Sequence, residues 1–290
     1  MAAVAVVALP AAWYVIGWAR QRLDTRPPPA LTTMPATQAA PARRPPAFKR
    51  VRSEHLRYTV AAKDVPLGAI SIDIGPLTTH AAESPVYPVT YSLQTNEAFS
   101  PVYILTGEAR VLLDAGTLLP LEYEHRVRSG PGVTGGREKY RKLEFDRTRH
   151  VLRCFEKEKD QAELTVRKPR PIPAGSHHFA SVLFFLRHAP LKVGTTRALV
   201  VVSRKRNVSV RAAVLREEPY QLTDGTKGTA VVLLSQTDFG KKAIRNAEFR
   251  AWLDKAERFL VRLDVQIAWG TITATLVERT PGEGPAPQKP

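Results

Sequence analysis

Apolar and polar residues alternate with a period of two along most of this 290-residue chain, and this pattern restricts the fold more than any other. The alternation is clearest in residues 56–60, 69–75 and 269–277. Because successive side chains of a strand point to opposite faces, each run predicts a half-buried β-strand. Turn residues such as Asp224-Gly225 separate the runs. The sequence therefore predicts a mainly β domain, built as a curved antiparallel sheet or open β-barrel.

One run breaks the alternation and predicts a single short central helix. Between positions 176 and 194, apolar residues at 179, 182, 183 and 186 fall on one helical face. Ser176 is a candidate N-cap, and Pro190 ends the helix before Gly194 turns the chain. We expect the sheet to wrap around this helix.

The ends of the chain differ in composition from the β region. Residues 2–19 are apolar over roughly one bilayer width, with Trp13, Tyr14 and Trp18 near the far end, which predicts a membrane helix. Residues 1–19 are thus expected to be a membrane anchor or an uncleaved signal. A Pro/Ala-rich linker at 20–50, the β-rich domain at 51–279 and a disordered tail at 280–290 complete the predicted organisation.

The net charge of +16 favours acidic partners such as anionic lipid headgroups, phosphorylated glycolipid or nucleic acid; free use of arginine without such a partner is the alternative. Basic rims are predicted at strand ends, at Arg147 with Arg149 and at 204–206 with Arg211. Nucleic acid is an unlikely partner, because few aromatic residues for base stacking accompany these charges. The sole cysteine, Cys154, excludes an internal disulfide and is interpreted as a small strand residue.

No residue set predicts a reaction, so we expect no enzyme and no cofactor. Metal binding by His177, His178 and His188 is weighed against surface or hydrogen-bonded histidines, and no metal site is predicted. Ser181 beside these histidines is interpreted as a core residue rather than a nucleophile. The mixed-charge run at 156–160 is interpreted as a solvated hairpin end.

Several motifs in order carry a family resemblance over most of residues 53–278. They are Glu54-x-Leu56-x-Tyr58 with Val65-Pro66-x-Gly68, Phe145-Asp146, Ser181-x-Leu183-Phe184-Phe185-Leu186-Arg187-x-x-Pro190, Trp252-Leu253 with Arg258, and Gly270-Thr271-Ile272-Thr273-Ala274-x-Leu276. Together they resemble the domain of unknown function 3108 family of bacterial envelope proteins. That family usually has an acidic residue three places before the central serine, where this chain has His178. The resemblance implies an exported β-rich domain similar to the open barrels of lipoprotein carriers, and implies no activity.

These observations lead to one functional hypothesis and one alternative. The hypothesis is a non-enzymatic periplasmic protein, tethered to the inner membrane through residues 2–19, that binds a lipid or anionic glycolipid in the concave face of its sheet. The positive-inside rule, applied to Arg20, Arg22 and Arg26, would instead leave the body in the cytoplasm, unless translation starts upstream. The expected ligand-binding residues are Phe179, Leu183, Phe184, Leu186, Arg187, Trp252 and Trp269. The alternative is an envelope scaffold that binds a protein partner along a sheet edge.

Overall fold

The computed structural model describes residues 53–80, 84–158, 163–238, 247–267 and 270–282. Within these ranges fifteen strands form one sheet in which every neighbouring pair is antiparallel. The strands are β1 (Glu54–Ala62), β2 (Val65–Ile74), β3 (Thr78–His80), β4 (Ser84–Thr95), β5 (Tyr103–Asp114), β6 (Pro120–Pro131), β7 (Arg137–Asp146), β8 (Val151–Glu158), β9 (Thr165–Pro171), β10 (Thr196–Val202), β11 (Asn207–Gln221), β12 (Lys227–Asp238), β13 (Ala247–Asp254), β14 (Leu260–Ile267) and β15 (Gly270–Pro281). The predicted mainly β class and open antiparallel sheet are confirmed.

The strand order is the chain order with one break. Strands β10 to β15 are followed in the sheet by β1, β2 and β4 to β9, while β3 pairs only with β4. The first and last strands of the chain, β1 and β15, therefore pair in the middle of the sheet. Strands β9 and β10 are its two edges. These edges are consecutive in sequence, so the segment between them must cross from one edge of the sheet to the other.

That crossing segment contains the predicted central helix, α1 (Phe179–His188), which is the only α-helix in the described ranges. The expected N-cap at Ser176 is wrong. The N-cap residue is His178, and its side chain accepts a hydrogen bond from the Ala180 amide. The Ser181 hydroxyl in turn accepts from the His178 amide, which completes a capping box. The helix ends at His188, two residues before Pro190, as predicted.

One hydrophobic core fills the space between the helix and the sheet. It contains α1 together with alternate residues of the sheet strands, including the fully buried Tyr58 and Tyr91. The Tyr91 hydroxyl donates a 2.6 Å hydrogen bond to the carbonyl oxygen of Ala180. The Tyr58 hydroxyl of β1 donates to the Leu260 carbonyl oxygen of β14, two strands away in the sheet, at 2.9 Å. Both tyrosines thus bury a large ring without leaving the hydroxyl unpaired.

Residues 1–52 and 283–290 lie outside the described residues, and so do the predicted anchor, the linker and most of the predicted tail. Among the residues that the structure describes, no helix combines the length and apolar character needed to span a membrane.

Candidate functional site

The expected ligand-binding residues of α1 lie in the core. Phe179, Phe184 and Leu186 are buried, with Phe184 only 1% exposed, and Leu183 is half-buried against the same cluster. Phe179, Leu183 and Leu186 lie on the face that the spacing predicted, whereas the buried Phe184 lies off it, so α1 is buried on more than that one face. In this arrangement the face packs against the inner side of the sheet.

Arg187 does not extend into a pocket but forms a buried ion pair. Its guanidinium contacts the carboxylate of Glu54, which is the first residue of β1. The other oxygen of Glu54 accepts from Arg279 Nε at 3.1 Å, and Arg279 also bonds Glu257 at 2.6 Å. In this chain, therefore, the counter-charge of Arg187 is Glu54, from the first motif of the family pattern, whereas position 178 holds a histidine.

Trp252 is buried in the same hydrophobic cluster as the α1 residues. The indole N–H donates to the Glu218 carboxylate, and the Arg262 guanidinium lies 4.9 Å from the ring centroid. Trp269 lies outside the described residues. The structure thus brings Trp252 and the α1 residues of the expected site together in one buried cluster.

A different feature occurs where the edges β9 and β10 face each other, a line that we call the seam. His177 forms a short parallel bridge with Val201 of β10, with hydrogen bonds of 2.8 and 2.7 Å on its two sides. Nearby, Arg170 of β9 donates to the carbonyl oxygens of Ser203, Arg204 and Arg206 and, at 2.6 Å, to the Asn207 side chain. Arg170 therefore holds one edge of the sheet to the β10–β11 turn of the other.

Beside this contact, three guanidinium groups converge on the carboxylate of Glu156. Arg141 Nε lies 2.7 Å from Oε1, Arg204 Nη1 lies 2.7 Å from Oε2, and Arg167 Nε lies 3.2 Å from Oε2. Glu156 is 7% exposed, so the expectation of a solvated hairpin end is wrong at this position. Position 156 pairs with Arg141 on β7, and this register turns the carboxylate toward the seam rather than toward solvent.

The seam contains a cavity of about 390 Å³ next to this cluster. Leu152 and Cys154 of β8 provide an apolar floor, and five basic side chains form the remaining walls: Arg167, Lys168, Arg170, Arg204 and Lys205. Lys168 and Lys205 are exposed, whereas Arg170 and Arg204 are half-buried. The cavity therefore passes from a cationic mouth to an apolar base that belongs to the core.

Burial and charge shift the pKa values of the groups around this cavity. Burial alone would raise the pKa of Glu156, but its hydrogen bonds and charge interactions with Arg141 and Arg204 outweigh burial and lower the pKa to about 2. Burial lowers the pKa of Arg170. Burial, together with the Glu156 charge, raises the pKa of the Cys154 thiol to about 11. The cluster is therefore cationic at neutral pH, and the thiol is a weak nucleophile there.

The histidines that the sequence singled out do not form a metal site. In the described ranges, no group of three or more His, Cys, Asp or Glu side chains is arranged to hold a metal ion. His177 and His178 are buried beside α1, and burial lowers the pKa of each to about 3. Ser181 is fully buried and its hydroxyl serves the helix cap, so it lies in the core as interpreted from the sequence.

Sequence reasoning found part of this site and missed the rest. The run 204–206 was expected to be a basic rim, and two of its residues line the cavity. Arg167, Lys168 and Arg170 were not singled out, although basic residues interleaved with prolines at 167–171 are a signal of an exposed edge strand. These three residues lie near Arg204 only because the two edges of the sheet come together, and no local sequence pattern predicts that contact.

Comparison with known proteins identifies the family and supports the fold. Residues 57–277 match the family described as "Protein of unknown function (DUF3108)", and the chain belongs to this family. A similar fold occurs in the crystal structure of a β-barrel-like protein of domain of unknown function DUF1849 from Brucella abortus, with a TM-score of 0.52 and 9% sequence identity. That likeness covers 81% of this chain and 99% of the other. No curated protein matches the chain significantly in sequence.

Proposed function

We propose that this member of the DUF3108 family is a non-enzymatic binding protein of the bacterial cell envelope, and that it binds an amphiphile whose anionic group occupies the seam cavity. The observation that carries the proposal is the excess of positive charge around that cavity. Arg167 and Arg204, which line the cavity, both bind the carboxylate of Glu156. An anionic ligand would supply the charge that these groups lack.

Arg170 adds to this excess. The partners of its guanidinium are carbonyl oxygens and the amide oxygen of Asn207, which carry no full charge. A half-buried cation loses hydration, and a nearby anion offsets that loss better than neutral dipoles do. Lys168 and Lys205 bring two further charges to the mouth. A planar guanidinium next to free ammonium groups suits a phosphate or carboxylate group.

The apolar floor supports an amphiphile rather than a simple ion. Leu152 and Cys154 belong to the core that also contains the α1 residues Phe179 and Phe184. A volume of about 390 Å³ lies within the range of about 300–1,000 Å³ that is typical of small-molecule sites. The cavity therefore has room for an anionic head and a short apolar segment, and reaches toward the concave face that the sequence suggested for a lipid.

A binding role accounts for the lining residues better than catalysis does. Cationic side chains hold an anion but provide no general base near neutral pH. Cys154 has a raised pKa and Ser181 is fully buried, so neither is placed to attack a substrate. The periplasmic location and the tether to the inner membrane rest on the apolar segment at 2–19 and on the linker at 20–50.

The alternative, a scaffold that adds a partner strand at a sheet edge, has less support. Pro169 and Pro171 in the edge strand β9 cannot donate backbone hydrogen bonds, and β9 also contains a register shift against β8. On the other edge, His177 already pairs with Val201 of β10. Both edges thus carry features that disfavour strand addition.

The proposal is tested by calorimetric titration of the full chain, purified in a non-ionic detergent, with two short-chain lipids that have the same acyl chains, one with and one without an anionic phosphate. Dihexanoyl phosphatidic acid should bind, and dihexanoylglycerol should bind much more weakly. Replacing both exposed lysines of the mouth (Lys168→Gln with Lys205→Gln) should weaken phosphatidic acid binding roughly tenfold, which corresponds to about 1.4 kcal/mol. Lys192→Gln, an exposed lysine outside the cavity, is the matched control. Equal affinity for both lipids, or no binding of either, would rule the proposal out.

A further inference from the structure

The wall of the seam cavity carries more positive charge than a monoanion could offset. Of the seven described residues that line the cavity, five are basic and none is acidic. Glu156, which is not one of the seven, binds Arg167 and Arg204 and offsets one charge. Five positive charges against one negative charge leave a surplus of four. A ligand with a single negative charge would leave most of this surplus in place.

Two guanidinium groups of the wall also have unused hydrogen-bond donors. Among the described residues, Glu156 is the only acceptor for the Arg204 side chain, and Arg204 reaches it through Nη1 alone. The N–H groups of Arg204 Nε and Nη2 therefore donate to no described protein atom. Arg167 reaches the same carboxylate through Nε alone, so both of its terminal nitrogens are unused in the same way. A ligand in the cavity would thus meet N–H groups on two residues that the protein itself does not engage.

Glu156 holds these two guanidinium groups in position. It is only 7% exposed, and Arg141, which does not line the cavity, also binds it at 2.7 Å. Donors that are already held in position lose less conformational freedom when a ligand binds. The cavity therefore presents preorganised donors, and these favour a ligand that accepts several hydrogen bonds at once.

A phosphomonoester, a phosphate joined to its carrier through one ester bond, matches both the charge and the donors. Near neutral pH it carries a charge of about −1.5 to −2 and has three oxygen atoms that accept hydrogen bonds. A carboxylate or a phosphodiester carries one charge and has only two such oxygens. Guanidinium groups bind phosphate oxygens in pairs, and ammonium groups add point charges. A terminal phosphate is thus the group that uses Arg167, Arg204 and the lysines of the mouth together.

We propose that the anionic group bound at the seam is a phosphomonoester rather than a phosphodiester or a carboxylate. Its oxygens accept from the nitrogens of Arg167 and Arg204 that Glu156 leaves unused, and the ammonium groups of Lys168 and Lys205 contact it from the mouth. The phosphate so assigned is the head of the amphiphile in the proposed function, on which this assignment rests. A phosphorylated lipid and a water-soluble phosphomonoester share this chemistry.

The test compares two lipids with the same chains that differ by one methyl ester on the phosphate, dihexanoyl phosphatidic acid and dihexanoyl phosphatidylmethanol. Each is titrated calorimetrically into the full chain at pH 8, in the same non-ionic detergent. At this pH the monoester carries about two charges and the diester one. Phosphatidic acid should bind about tenfold more tightly. Equal affinities would overturn the assignment but leave the binding of an anionic amphiphile intact, whereas no binding of either lipid would overturn both.

A pair of variants separates the cavity from the overall charge of the protein. Arg167→Gln removes the unused donors of one wall residue and should make the affinity ratio of the two lipids roughly threefold smaller. Arg57→Gln is the matched control: Arg57 lies in β1 in the middle of the sheet, and its side chain is 56% exposed against 57% for Arg167. It should leave the ratio unchanged. Because both lipids are measured on the same protein, a smaller folded fraction does not alter the ratio. An equal decrease in both variants would overturn the assignment.

Glycerol 3-phosphate distinguishes a lipid from a water-soluble phosphomonoester, because it has the terminal phosphate of phosphatidic acid without the acyl chains. Weaker binding than phosphatidic acid supports both the phosphate and the amphiphile. Equal binding of the two supports the phosphate at the seam and overturns the amphiphile of the proposed function.

Discussion

Glu54 and Arg187 form a buried ion pair although 133 positions separate them in the sequence. Glu54 begins the first strand and Arg187 lies in the last turn of the central helix, so the pair joins the helix to the middle of the sheet. Side-chain exposure is 3% for Glu54 and 10% for Arg187. Arg279 of the last strand binds the same carboxylate. One carboxylate therefore joins the beginning, the centre and the end of the domain.

Neutralising this carboxylate should destabilise the fold strongly. Glu54→Gln leaves the buried guanidinium of Arg187 without its counter-charge and Arg279 with Glu257 alone, and we expect a loss of about 3–5 kcal/mol in the free energy of unfolding. Urea denaturation followed by tryptophan fluorescence measures it. Glu278→Gln is the control, because Glu278 and Arg57 are half-exposed and 3.9 Å apart, and its cost should stay below about 1 kcal/mol. Similar costs for both variants would contradict the buried role of Glu54.

Truncating Phe184 should reveal whether the helix face is core or ligand pocket. Phe184 is 1% exposed, so Phe184→Ala should leave a void and cost about 3–5 kcal/mol. Val193→Ala, at a side chain that is 46% exposed, should change stability by less than about 0.5 kcal/mol. If Phe184 lined an open lipid cavity, stability would change little and affinity for the amphiphile would fall instead. Denaturant midpoint and probe affinity, measured on the same variant, separate the two outcomes.

Stability should fall as the pH decreases below about 6.5. Burial lowers the pKa of His125, His177 and His178 to about 3, whereas an unfolded chain takes up these protons near pH 6.5. Between pH 6.5 and pH 3 the unfolded state binds more protons than the folded state. Each of these histidines therefore lowers the free energy of unfolding by about 1.4 kcal/mol for every pH unit of acidification. Glu156, with a pKa of about 2, adds a loss in the same direction below about pH 4.5. Above pH 6.5 none of these groups makes the free energy of unfolding depend on pH.

The change of stability with pH tests whether burial keeps these histidines neutral. Urea midpoints between pH 7 and pH 5 should show a steep decline, and His177→Gln should reduce the slope by about 1.4 kcal/mol per pH unit, whatever its effect at pH 7. His150→Gln, an exposed histidine, should leave the slope unchanged. An unchanged slope in the His177 variant would show that this side chain is not kept neutral by burial.

Removing the guanidinium of Arg170 should loosen the seam. The group donates to the carbonyl oxygens of Ser203, Arg204 and Arg206. The variant Arg170→Met keeps most of the side-chain length but has none of these hydrogen-bond donors. Hydrogen exchange measured by mass spectrometry should become faster in peptides that cover residues 200–208. Arg167→Met is the matched control on the same strand, because its side chain is 57% exposed and its ion pair is with Glu156 of the neighbouring strand β8. Equal exchange in both variants would exclude Arg170 as the link between the edges.

Local patterns were sufficient to predict the elements of this fold. Alternation of apolar and polar residues identified the strands, because successive side chains of a strand point to opposite faces of the sheet wherever the strand lies. The hairpin through Arg147 and the helix end before Pro190 were also predictable, since both depend on neighbouring residues only. The motifs around Ser181 and Trp252 led to the family, which residues 57–277 confirm.

The site depended on contacts that sequence patterns do not contain. Trp252 and Leu253 are both apolar and adjacent, so alternation alone could not decide how each packs; both are buried, and the register with Arg262 on β14 sets that guanidinium against the Trp252 ring. Glu156 stands in a mixed-charge run that is typical of solvent, yet its pairing with Arg141 places it at the seam.

The sequence by itself determined the strands, the single helix and the family, because each of these follows from residues close together in the chain. Only the tertiary structure decided that β9 and β10 face each other, and with them Arg170, Glu156 and Arg204. That approach requires fourteen strands to pair in order and the sheet to curve through its accumulated twist until its edges meet. Curvature is a property of the whole sheet, so the cationic cavity at its seam exists only once the sheet has formed.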